Sequence, residues 1–141
     1  MNDKDILKSI KEKFAMDEVD IRTYSPLSLA YIGDAVFDLV IRSYVVLKGN
    51  KSNNNLHKDV VNYVSAEGQV KILEKITPVL TETELGIYRR GKNSKPNSKA
   101  KNAGLSDYLK ATGFEALMGY LYLNGEEDRM LDLIRMGICD E

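Results

Sequence analysis

The stretch "YIGDAVFDLVI", Tyr31 to Ile41, reads as the middle of a buried helix, yet Asp34 stands inside it. A second apolar stretch, "ATGFEALMGYLYL" from Ala111 to Leu123, carries a single charge, Glu115. Burying an unpaired polar group costs roughly 2–7 kcal/mol, and a bare charge costs more. Each intrusion therefore needs a partner or a task. Working outward from the first, Ser25-Pro26 is a helix start, an N-cap hydroxyl followed by proline at the first helical position. The pattern predicts a helix over Pro26 to Lys48, with Gly49 just past its end. It is apolar on most sides, which places it at the centre of a helical bundle.

The rest of the chain repeats this vocabulary. Apolar residues at 6, 7, 10 and 14 predict an amphipathic helix over Asp3 to Phe14, and residues 15–24 read as a connection. "KSNNN", Lys51 to Asn55, reads as a turn, and Leu56, Val60, Val61 and Val64 trace a further helix. Ser65-Ala66-Glu67 caps the next, whose apolar residues are Val70, Ile72, Leu73 and Ile76. Pro78 interrupts it. Thr81 with Glu84 fits a capping box opening a short helix that ends near Arg90-Gly91. Leu105 to Leu123 is predicted as the second buried helix, Asn124-Gly125 breaks it, and Glu126 to Ile138 is the last. The expectation is an all-α fold, one domain over residues 1–141.

Composition bounds the function. The lone Cys139 allows neither an intramolecular disulfide nor a cysteine metal cluster. No apolar run approaches a membrane span, and the N-terminus mixes charges of both signs, unlike a secretory signal. A cytoplasmic protein with no membrane partner is expected. The net charge of −1 hides an asymmetry. "RRGKNSKPNSKAK", Arg89 to Lys101, holds six of the 20 basic residues and none of the 21 acidic ones; the remainder carries 14 against 21, a net of −7. A cationic loop on an anionic body points to a polyanionic ligand. Charge runs are also commonly just solvated faces.

The two carboxylates have two readings. Ala30, Asp34 and Asp38 lie on one stripe of the first buried helix, and Thr112 and Glu115 share a face of the second. If the helices pack antiparallel, Asp34 and Glu115 converge in one cleft, where a hard divalent cation such as Mg²⁺ would relieve their repulsion. Alternatively Asp34 pairs with an arginine, Arg42 being the candidate, and no chemistry is needed. Gly33 and Gly119 fit a close approach by another helix or a ligand. His57 has no second histidine for a metal site and reads as a helix-surface residue; Cys139 reads as inert. The eight tyrosines read as core and interface, and no Gly-rich phosphate loop is present.

"YIGDAVFDLVIRSYVV" resembles the signature helix of the ribonuclease III family, usually E-x-L-G-D-A-V-L, and "GFEALMGYLYL" resembles that family's later A-D-x-F-E-A-L-I-G-A-I-Y-L helix. "LHKDVVNYVSAEGQ" and "YRRGKNSK" resemble, more narrowly, its short Mini-III subgroup, and the likeness spans roughly residues 26–136. The resemblance implies a homodimeric helical endonuclease domain whose two active sites lie along a valley for double-stranded RNA. It implies Mg²⁺-dependent phosphodiester hydrolysis leaving 5′-phosphate and 3′-hydroxyl ends. It also implies trimming of the large-subunit (23S) ribosomal RNA precursor, with ribosomal proteins on that precursor as further partners. The subgroup lacks a separate double-stranded RNA-binding domain, and a chain of 141 residues is expected to lack one too.

The family's carboxylates carry over in part. Asp34 and Glu115 match two, as catalytic and metal-binding residues; the other two positions fall on Ala30 and Thr112. One Mg²⁺ per site is expected, with Asp38 and Thr112 as outer-shell candidates. Arg89, Arg90, Lys92, Lys95, Lys99 and Lys101 are the expected RNA contacts, and Lys58 a further one. Two competing classes remain: a structured-RNA-binding protein with a degenerate nuclease fold, and a helical DNA-binding module, the latter disfavoured by the anionic body.

Overall fold

Helix α2, Pro26–Lys48, begins as its sequence requires: the Ser25 hydroxyl accepts from the Ser28 amide, Pro26 follows, and Gly49 ends the helix. The computed structural model describes residues 5–94 and 103–139. Helix α1 is Ile6–Lys13, capped by Asp5; α3 is Asn53–Val64, α4 Ala66–Ile76, α5 Glu82–Lys92, α6 Ala103–Leu123 and α7 Glu127–Ile138. Two short 3₁₀ turns, Ile21–Thr23 and Thr77–Val79, complete the order, and no strand occurs among the described residues. The all-α expectation holds, and no described helix is long and apolar enough to cross a membrane.

Besides shifts of one or two residues at the starts of α6 and α7, two assignments differ from expectation. Asn53 to Asn55 form the first turn of α3 rather than a turn between elements, because Ser52 caps it through the Asn55 amide. Arg89, Arg90 and Lys92 are not in a loop. They form the last turn of α5, where cations are favoured by the helix dipole. Lys95, Lys99 and Lys101 lie outside the described residues.

Helix α6 is the axis of the core, packed by α2, α5, α4 and α7. Phe37 of α2 and Phe114 of α6 meet edge to face at 5.0 Å, both fully buried. Ile41, Leu117, Leu121, Leu133 and Ile134 close around them. The α2–α6 crossing is tight enough to exclude side chains. A Cβ on Gly33 would overlap the Glu115 carbonyl oxygen, and one on Gly119 would overlap that of Leu29. These glycines, costly inside helices, are explained by that close approach. Gly125, at φ +74°, turns the chain after α6.

A polar clamp holds α5 to α7. Thr81 and Glu84 form the expected capping box, and the Arg129 guanidinium grips both Glu84 carboxylate oxygens at 2.8 and 2.9 Å while donating to the Val79 carbonyl. Arg129 holds the Glu84 carboxyl below its ordinary range, against the opposing effect of burial.

Candidate active site

The α2–α6 crossing sets the site. Because Gly33 admits the backbone of Glu115 so closely, the neighbouring Asp34 side chain comes within hydrogen-bonding reach of the Glu115 carboxyl. The two acids therefore converge, as one of the two sequence readings required. Asp34 is exposed on α2 and Glu115 half-buried on α6, in an open cleft of about 560 Å³ lined also by Leu27, Ala30, Tyr31, Tyr108 and Thr112. Ala30 and Thr112 thus stand in the same cleft as the two acids. The Thr112 hydroxyl donates to the Tyr108 carbonyl, 3.0 Å away.

Arg42 does not pair with Asp34. It reaches back one turn to Asp38, at 2.8 Å, an ordinary i,i+4 pair. Among the described residues no lysine or arginine forms an ion pair with Asp34 or Glu115. Burial pushes the Glu115 carboxyl up to about 8; the hydrogen bond with Asp34 and the Asp34 charge add to this, and donation from Gln69 partly offsets it. Two carboxyls so placed share a proton or a cation. Their hard oxygen donors, aimed together from two rigid helices into an open cleft, fit Mg²⁺, which keeps much of its water and takes few protein ligands. No cluster of three or more His, Cys, Asp or Glu residues occurs among the described residues.

The basic turn of α5 packs on α6 through Gly91. A Cβ on Gly91 would stand 2.7 Å from that of Ala116 and 3.4 Å from the Thr112 carbonyl oxygen, so Arg90 and Lys92 flank the turn of α6 that carries Glu115. Arg89 and Arg90 are exposed and Lys92 half-buried. Lys58 and His57 are exposed on α3. His57 lines a separate groove with Arg42, Asn53 and Leu56, outside the acidic cleft. Sequence reasoning missed Gln69, whose amide donates to Glu115 Oε2 at 3.1 Å. It occupies the buried stripe of α4 with Ile72, Leu73 and Ile76, and a polar residue at that spacing was the available signal.

Comparison with known proteins shows the family. Residues 27–126 match the ribonuclease III domain. The chain belongs to the ribonuclease III family, and within it to the Mini-ribonuclease 3 branch. It is similar to Mini-ribonuclease 3 of Clostridium tetani, 43% identical over 84% of this chain and 80% of that relative. It is likewise similar to Mini-ribonuclease 3 of a Thermoanaerobacter species, 39% identical over 96% of each. A crystal structure of a Fusobacterium nucleatum protein superposes with a TM-score of 0.73 at 35% identity, covering 84% of this chain and 95% of that one. Membership carries the family's activity, endonucleolytic hydrolysis of double-stranded RNA.

Proposed function

We propose that Asp34 and Glu115 are the catalytic pair and hold one Mg²⁺ per site, and that the RNA hydrolysed is the 23S ribosomal RNA precursor. The observation that carries the catalytic assignment is the convergence, from distant parts of the chain, of two carboxyls that form no ion pair with a lysine or arginine among the described residues, in one open cleft. Bound there, Mg²⁺ supplies a polarised phosphoryl oxygen and a water acidic enough to attack near neutral pH. Asp34 of α2 and Glu115 of α6 would hold the ion, one from each helix. Thr112, tethered to Tyr108, lines the cleft as an outer member of the site, whereas Asp38 is held by Arg42 and does not line it.

Arg89, Arg90 and Lys92, continued by Lys95, Lys99 and Lys101, contact RNA phosphates, with Lys58 as an added contact. Such contacts position the duplex and read its shape rather than its sequence. One domain over residues 1–141 serves both catalysis and binding, in the cytoplasm. A second copy docks on the outer face of α2, where Leu39, Val46 and Leu47 stand exposed. The pairing lines up two clefts along one duplex, and ribosomal proteins bound to the precursor are the further partners. The test is cleavage of a plain RNA duplex by the purified chain in Mg²⁺ and in chelator. Product ends carrying 5′-phosphate and 3′-hydroxyl, formed only with Mg²⁺, support the reading; metal-independent cutting sinks it.

A further inference from the structure

Gln69 is 2% exposed, the polar member of an otherwise apolar buried stripe on α4. Its amide nitrogen donates twice at 3.1 Å, to the Val64 carbonyl and to Glu115 Oε2. Its Oε1 is buried and finds no hydrogen-bond partner among the described residues. A backbone carbonyl only accepts, so the nitrogen end of the amide must face Val64. That choice directs the other N–H at Glu115 and strands the oxygen, at a cost of roughly 1–3 kcal/mol. Packing alone would favour leucine or methionine here. A stranded polar atom behind a reactive carboxyl calls for a functional reason.

We propose that Gln69 is a positioning residue: it fixes Glu115 through Oε2 with a neutral donor, so that the other carboxylate oxygen is presented to the cation. The inference rests on the reading of Asp34 and Glu115 as cation ligands. Neutrality is the point of using an amide. A lysine or arginine in this place would hold Glu115 equally well, but it would cancel the charge that attracts the metal. Glutamine fixes direction and leaves the charge intact, as hydrogen-bonding partners of metal ligands commonly do. Gln69 lies behind Glu115 and out of reach of RNA, so its loss acts on metal loading rather than on substrate binding.

The test compares wild type, Gln69→Met and Asp34→Asn, with Mn²⁺ as a paramagnetic stand-in titrated into RNA-free protein. Methionine keeps the length and removes the donor. Q69M is expected to bind Mn²⁺ about 10–100-fold more weakly. Its half-saturating Mg²⁺ for cleavage rises by a similar factor, while KM for duplex RNA is unchanged and kcat recovers in excess Mg²⁺. Folded Q69M with wild-type Mn²⁺ affinity, alongside D34N that has lost the site, overturns the role of Gln69 and leaves the metal pair standing. Equal Mn²⁺ binding by D34N and wild type overturns both. Should Q69M fail to fold, the Gln69 side-chain amide resonance of wild type is followed by NMR through a Mg²⁺ titration. A shift that saturates with site occupancy supports the proposal; an unmoved resonance sinks it.

Discussion

Gly33 of α2 and Gly119 of α6 meet backbone to backbone: a Cβ placed on Gly33 would stand 2.6 Å from the Gly119 amide nitrogen and overlap the Glu115 carbonyl oxygen. The obstructing atoms are main chain, which cannot swing aside. Gly33→Ala must therefore push two core helices apart. Overpacking costs typically 1–3 kcal/mol and more where backbone must move; a loss above about 3 kcal/mol is expected here, read by urea denaturation. Any folded fraction is expected to lose cleavage, because the same separation pulls Glu115 from Asp34. A stable, active G33A protein would contradict the account.

Asp34→Asn removes one charge at an exposed position and changes the volume little. Folding, by thermal melt, and duplex RNA binding in chelator are expected to stay near wild type. Cleavage is expected to fall by roughly 10²–10³-fold, the usual loss when one preorganised electrostatic stabiliser is removed. Near-normal cutting by the purified variant would remove Asp34 from catalysis.

The basic turn of α5 is testable through salt. Removing one phosphate-binding side chain is expected to take about 0.7–0.9 from the slope of log affinity against log salt. Arg89→Ala with Arg90→Ala should therefore flatten it by about 1.4–1.8, measured by fluorescence anisotropy on a labelled RNA duplex. An unchanged slope would place the RNA elsewhere on the surface.

Two carboxyls make stability depend on pH with opposite signs. Glu84 is held below its ordinary value by Arg129. Its contribution is present above the unfolded-state pKa and is lost as pH falls through the lower folded value. Glu115 is pushed up to about 8, chiefly by burial. In chelator the folded state then keeps a proton that the unfolded state has released, so stability declines as pH rises from the ordinary Glu range toward 8. Thermal melts across this range are expected to show the alkaline decline in wild type and to lose it in Glu115→Gln. Added Mg²⁺ is expected to flatten it by taking the proton's place.

Light scattering at micromolar protein is expected to report a dimer, and Leu39→Glu, on the exposed face of α2, a monomer. Dimeric L39E would move the interface to another surface.

Helix starts were legible because caps are local. Ser25 reaches only to Ser28, and Thr81 only to Glu84. The two anomalous carboxylates were legible too, since an acid inside an apolar helix stands out without any fold. The errors came where two local signals compete. Ser52 outweighs the weak helix propensity of three asparagines, and Arg89 to Lys92 look like loop until the dipole at a helix C-terminus is counted. Residue types, spacing and capping thus set which segments are helical and which side chains are anomalous, because those energies act within a turn or two. That Asp34 meets Glu115 rather than Arg42, that Glu84 takes Arg129, and that Gln69 stands behind Glu115 was decided by packing. These partners lie tens of residues apart, and only the glycine-lined crossing of α2 and α6 brings the two acids within reach.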